Sequence, residues 1–413
     1  MTVANSSLPR FRARHLHNPR AERVRSYGAR QLALFNEEAL AAARREIASW
    51  PGYGPTSLVA LPGLAKAARL AALWYKDEGK RFALQSFKAL GGAYAVFRYL
   101  ARVVAERTGR TDLTSRDLLS GRFRELTRGL TACSATDGNH GRSVAWGAQL
   151  FGCASVIVIG AAVSEGRKRA IESYEARVIR IAGNYDEAVR YCAEEARRNG
   201  WQVISDTSWP GYTEVPVDVM QGYALMTDEI LTQLPAGSLP SHVFVQGGVG
   251  GLAAAVCATL WRRLGARRAR FIVAEPEAAD CIFKSLEAGR RVSVEGSLET
   301  FMAGLSAGEV SLLAWDVLEE GADDAMTVED AAARHWMAAL ARGVGGDPPV
   351  VAGESAVAGL AAALAAAADP GLRARLELDA STRLLVIGTE GATDPELYRR
   401  VVGLAPEAVA ARA

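Results

Sequence analysis

The chain has 413 residues, a formal net charge of +2, 49% hydrophobic and 23% charged residues, the balance of a globular protein long enough for two domains. No run of about 18 uncharged apolar residues occurs, so no membrane span is expected, and near-neutrality gives no electrostatic case for nucleic acid. Five scattered cysteines (Cys133, Cys153, Cys192, Cys257, Cys281) without a C-x-x-C pair argue against disulfides and a metal centre; with no apolar leader at the N-terminus, they point to the cytoplasm.

In chain order, residues 10–30 come first, with seven arginines and one acid, Glu22. They read either as a nucleic-acid or targeting arm or as a solvated or interface segment, and the second is preferred. Next, Ser86-Phe87-Lys88 opens a helical pattern with apolar Leu90, Tyr94, Phe97 and Ala101 on one face. Only six of the 48 basic residues are lysines: Lys66, Lys76, Lys80, Lys88, Lys168 and Lys284. Lys88 falls in a first helical turn, where the helix dipole disfavours a cation, and burial there would suit an amine nucleophile. An exposed surface lysine is the plain alternative.

From about residue 129, short β-branched runs alternate with amphipathic helices. Strands are expected at Gly129–Ser134, Ser155–Ile159, Val178–Ile181 and Trp201–Ile204. Helices are expected at His140–Phe151, at Ser164–Glu175 with Ser164 as N-cap, and at Tyr185–Asn199. After Pro210-Gly211 the pattern resumes with strand His242–Gln246, helix Leu252–Leu264, strand Phe271–Ala274 and a last strand Leu384–Ile387. Such alternation marks parallel sheets flanked by helices, with ligands at the carboxyl ends of the strands.

Three loops sit at such ends. Thr136-Asp137-Gly138-Asn139-His140-Gly141 offers Asp137 to move a proton and Asn139 to bond a phenolate-type oxygen, or is a turn with a helix cap. Gln246-Gly247-Gly248-Val249-Gly250-Gly251 presents bare N–H groups at a helix N-terminus, a solution for phosphate. The same loop reads G-x-G-x-x-A from Gly248 to Ala253, with Glu275 ending the next strand, so a dinucleotide site competes. Gly388-Thr389-Glu390-Gly391-Ala392-Thr393-Asp394 offers hydroxyls and carboxylates, or is a polar turn.

Together these segments resemble the fold-type II, tryptophan-synthase-β-like enzymes that use pyridoxal 5′-phosphate (PLP), and within them the diaminopropionate ammonia-lyase family. The resemblance runs from Leu73 to Tyr398. It rests on Arg81–Lys88, Ala135–Arg142, Asp206–Thr213, Met220–Tyr223, Met302–Ser306 and Thr389–Gly391. The D-G-N-H-G and D-T-x-W-x-G-Y-T runs are specific to the ammonia-lyases, since dehydratases usually carry serine where Asp137 stands.

The resemblance implies an α/β fold with parallel-rich twisted sheets and helices on both faces. It implies a large PLP-binding domain from 1–124 and 213–413, a small domain over 125–212, and a homodimer. Lys88 would carry PLP. Asn139 would bond the ring hydroxyl, and Gly247, Gly248, Val249, Gly250 and Gly251 would cradle the phosphate; at the ring nitrogen Thr389 or a water would stand in for the usual serine, or the contact is absent. Asp137 would be an acid/base, with Asp206, Thr136 and His140 placing an amino-acid substrate. The implied reaction is α,β-elimination of 2,3-diaminopropionate, L by Lys88 and D by Asp137, to pyruvate and ammonia. The alternatives are elimination or β-replacement on another β-substituted amino acid, and a PLP-binding protein without turnover. Three departures stand out: Gly388 replaces a serine that normally faces the ring nitrogen, Ala392 replaces an aspartate, and Ala307 replaces a cysteine.

Overall fold

The structure is a computed structural model that describes residues 8–136, 138–183 and 185–412. Its strands are β1 Ala13–His17, β2 Leu58–Ala60, β3 Ala72–Asp77, β4 Thr131–Thr136, β5 Ala154–Ile159, β6 Arg177–Arg180, β7 Gln202–Val203, β8 His242–Gln246, β9 Arg270–Pro276, β10 Asp324–Val328 and β11 Arg383–Gly388. The chain separates into two compact units. The first takes residues up to 33, 56–80 and from 226 onward; the second takes 34–55 and 81–225.

The first unit holds a seven-stranded sheet in the order β1-β10-β9-β8-β11-β3-β2. Its five inner strands run parallel, and the edge strands β1 and β2 pair antiparallel. Every residue of β8, β9 and β10 is buried, as expected of parallel strands covered on both faces. The Ala-rich helix Ala358–Ala368 is one cover. It is apolar almost all round, and a Cβ on Gly359 would lie 2.9 Å from the Phe244 carbonyl oxygen, so small residues let this helix sit hard against the sheet.

Strands β3 and β10 escape sequence reading because charges stand at their ends, Lys76 and Asp77 closing β3 and Asp324 opening β10. Lys76 and Asp324 are tolerated inside because each is paired. The Lys76 amine, fully buried, donates to Glu229 at 2.8 Å and to Gln233 at 2.9 Å, while Asp324 accepts from Arg270 at 2.6 Å and lies 2.9 Å from His15. The Arg-rich segment is likewise accounted for within its own unit. It forms edge strand β1, and Arg12, Arg14 and Arg25 pair with Glu277, Asp280 and Glu320.

The second unit holds a parallel four-stranded sheet, β6-β5-β4-β7. Helix Tyr185–Asn199 has the expected bounds, and Ser164 caps helix Glu165–Glu172 by accepting from the Arg167 N–H. The stretch 125–212 lies within this unit, which also takes in 81–124 and 213–225. The reason is close helix packing. A Cβ on Gly92 of helix Lys88–Thr108 would lie 2.5 Å from Ser143 Oγ, and one on Gly147 would lie 2.7 Å from the Ala93 Cα. Only such small residues let the two backbones approach this closely. Among the described residues no helix is long and apolar enough to cross a membrane.

Candidate active site

In the second unit, Lys88 is the first residue of helix Lys88–Thr108. The turn that delivers it is strained: Phe82, Ala83 and Gln85 all have positive φ, at 48°, 58° and 57°. Left-handed backbone on residues with a Cβ costs about 1–3 kcal/mol each and persists only where surrounding packing imposes it. Here Phe82 is held among Trp50, Tyr53 and Trp146, and Arg81 donates to the Gly54 carbonyl at 3.1 Å. The Lys88 carbonyl accepts from Ser143 Oγ at 2.7 Å, which locks the helix start onto the neighbouring helix.

The Lys88 amino group donates to the Asp206 carboxylate. It also lies 5.3 Å from the Phe87 ring centroid and 5.9 Å from that of Tyr223. Burial would raise Asp206, but the nearby Lys88 ammonium outweighs it and holds the carboxyl below the ordinary aspartate range. His140 is buried. Its Nε2 donates to the Ile204 carbonyl at 2.9 Å, while Nδ1 has no hydrogen-bond partner among the described residues and stands 4.0 Å from Asp206. Burial lowers the imidazole pKa, so Nδ1 is an open acceptor. Sequence reading named Lys88, Asp206 and His140 separately; the fold brings the three together.

The remaining residues of that loop divide. Thr136 Oγ1 accepts from the N–H groups of Gly138 and Gly141, each at 3.0 Å, so its first task is to shape the loop. Asn139 is half-buried at the start of helix Asn139–Phe151. Asp137 lies outside the described residues.

In the first unit, the glycine loop joins β8 to helix Gly251–Leu264. Gly248 and Gly250 have φ of +64° and +91°, conformations that favour glycine. The N–H groups of Gly248, Val249 and Gly251 have no acceptor among the described residues. A helix N-terminus with spare donors suits a phosphate. A Cβ on Gly247 would lie 2.6 Å from Glu275 Cγ, so the loop rests directly on that side chain.

Glu275 itself overturns the dinucleotide alternative. It is fully buried, and its two oxygens accept from the N–H groups of Ile282 at 3.0 Å and Phe283 at 2.7 Å, capping helix Cys281–Ala288. It is committed to that helix and offers nothing to a ribose.

Two further motifs are drawn to the same edge. The Gly304 N–H donates to Ser355 Oγ at 3.0 Å, and the Ser355 N–H donates to Glu390 Oε1 at 3.0 Å. Thr389 is buried just past the end of β11. Gly388, however, has no room for a side chain: a Cβ there would lie 2.0 Å from Tyr75 Cζ. Sequence reading missed Tyr75, because it carries no local signal of its role.

The donors present fit PLP: spare backbone N–H groups for a phosphate, and a primary amine for an aldehyde. Comparison with known proteins agrees. Residues 49–388 match the family described as pyridoxal-phosphate dependent enzyme. The diaminopropionate ammonia-lyase of Escherichia coli (strain K12) is 37% identical over 385 residues, covering 91% of this chain and 94% of that protein. The crystal structure of the Escherichia coli diaminopropionate ammonia lyase in complex with D-serine superposes with a TM-score of 0.87 at 34% identity, covering 96% of this chain and 98% of the other. A second structure of that enzyme, in complex with an aminoacrylate-PLP azomethine reaction intermediate, gives 0.85, also at 34% identity over 96% and 98% of the chains.

Proposed function

For a chain that belongs to the pyridoxal-phosphate dependent enzyme family, we propose α,β-elimination of 2,3-diaminopropionate: with one water, it gives pyruvate and two molecules of ammonia. The observation that carries the choice of substrate is the Asp206 carboxylate, buried and bound to the Lys88 amine. When Lys88 is engaged by the cofactor, Asp206 loses its cation. A buried carboxylate left unpaired costs several kcal/mol. The second ammonium of a diamino acid restores the pair, whereas the hydroxyl of serine or threonine does not.

PLP, when bound, supplies the electron sink for the pair released as the substrate Cα–H bond breaks. Lys88 carries the cofactor and then serves as base for the Cα proton of an L-substrate. Asp206 orients the substrate ammonium. His140, held by Ile204, presents an uncharged Nδ1 toward Asp206. Thr136 shapes the substrate loop, and Asn139 takes the ring hydroxyl. The Gly247–Gly251 loop binds the phosphate and Thr389 lies at the ring. Asp137, assigned from the family motif, serves as base for a D-substrate. Five free cysteines support a reducing, cytoplasmic setting, and a homodimer follows from the family resemblance.

The test is visible absorbance of the purified protein before and after L- and D-2,3-diaminopropionate, with pyruvate measured in parallel. A band of lysine-bound PLP, lost in Lys88→Ala, with pyruvate from either isomer is the expected result. Asp137→Asn should spare the L-isomer and abolish the D-isomer; equal loss of both refutes the two-base assignment. A band without pyruvate from either isomer would replace this substrate with another β-substituted amino acid.

A further inference from the structure

Tyr75 lies on β3, fully buried, and its hydroxyl has no hydrogen-bond partner among the described residues. A buried hydroxyl left unpaired is costly, and in a folded protein it calls for an account. The register between β3 and β11 pairs Tyr75 with Val386 and Asp77 with Gly388, so residues 75 and 388 project from the same face of the sheet. The Tyr75 ring leans toward the carboxyl ends of the strands. A Cβ built on Gly388 would lie 2.0 Å from its Cζ and 2.1 Å from its Oη. The phenol therefore fills the volume of the side chain that residue 388 lacks, and puts its oxygen where that side chain would begin.

The same edge carries the glycine loop. β11 lies between β3 and β8, and the Gln246 side chain at the end of β8 donates to the Ile387 carbonyl at 2.7 Å. Of the polar points of PLP, the reading above gives the phosphate to Gly247–Gly251, the ring hydroxyl to Asn139 and the carbonyl carbon to Lys88. The ring nitrogen is left over. We propose that the Tyr75 hydroxyl donates a hydrogen bond to the ring nitrogen of PLP, replacing a side chain at position 388; this rests on the cofactor reading above. Burial, reinforced by Asp77 and Glu390, pushes the phenol well above its ordinary pKa and keeps it a donor. A neutral phenol supports the nitrogen without protonating it.

The test uses full-length protein loaded with PLP labelled with ¹⁵N in the ring, comparing wild type, Tyr75→Phe, Thr389→Val and the swap Tyr75→Val with Gly388→Ser. In Tyr75→Phe the dissociation constant for PLP should rise about tenfold, and the ring ¹⁵N resonance should move to higher frequency. The swap, which returns a hydroxyl to β11, should reverse both changes. Without PLP, Tyr75→Phe should melt no lower than wild type, because it removes an unpaired hydroxyl and leaves the ring in place. An unchanged ¹⁵N resonance and affinity in Tyr75→Phe would overturn the proposal, as would a resonance that moves in Thr389→Val instead. If wild type takes up no PLP, the cofactor reading itself falls, a result distinct from either.

Discussion

Around Lys88 the second unit concentrates charge and strain. An amine, an ionised carboxylate and a buried imidazole meet there, delivered by a turn with three left-handed residues. At the end of β8 the first unit does the reverse. Its loop presents backbone N–H groups, and the carboxyl group beneath it, Glu275, is buried and tied to the start of a helix. The contrast follows from the tasks. Proton transfer needs groups whose charge changes during reaction, and these must be held by partners that can be exchanged. Holding a phosphate needs fixed dipoles, which the chain supplies without any side chain.

The largest effect should come from breaking the charged half. Asp206→Asn leaves the Lys88 amine without its carboxylate and the substrate without its second anchor. Losing one partner of a buried pair costs about 3–5 kcal/mol, so kcat/KM for 2,3-diaminopropionate should fall on the order of 10²–10³-fold. Steady-state kinetics on that substrate and on D-serine check it. An equal fall on both would mean that Asp206 does not select the second ammonium.

Next comes the carboxyl group under the glycine loop. Burial pushes Glu275 up to about 8, whereas an unfolded glutamate titrates near about 4.3. Between those values the folded protein binds a proton that the unfolded chain has lost, so stability falls as pH rises through that window. Wild type should lose on the order of a few kcal/mol between about pH 5 and 8 relative to Glu275→Gln, which cannot titrate there. Denaturant unfolding at a series of pH values measures the difference, and parallel curves would show that Glu275 is already ionised.

The smallest effect belongs to the cradle. Gly247→Ala places a methyl 2.6 Å from Glu275 Cγ, an overpacking that costs about 1–3 kcal/mol. It should lower melting temperature and weaken PLP binding while leaving kcat of the fully loaded enzyme near wild type. A fall in kcat as large as that of Asp206→Asn would erase the division of labour between the two regions.

Much of this was legible in the residues. Alternating β-branched and amphipathic runs marked the inner strands β4, β5, β8, β9 and β11, because a buried parallel strand must be apolar nearly throughout. The glycine loop was legible because spare N–H groups at a helix start need residues without side chains. Lys88 was conspicuous because lysines are few. Edge strands β1 and β2 were not legible, being short and partly exposed. Nor were β3 and β10, whose terminal charges look like loop until the surrounding structure is known.

By itself, then, the sequence determined the alternation of inner strands and helices, and which loops hold chemistry at strand ends, since both depend on neighbours a few residues apart. The tertiary structure decided the rest: that Asp206, 118 residues away, meets Lys88, that Glu275 caps a helix instead of facing a ligand, and that Tyr75 fills the space beside Gly388. Each is a contact between side chains or strands distant in sequence. Such contacts are set by sheet order and packing volume, which local periodicity does not encode.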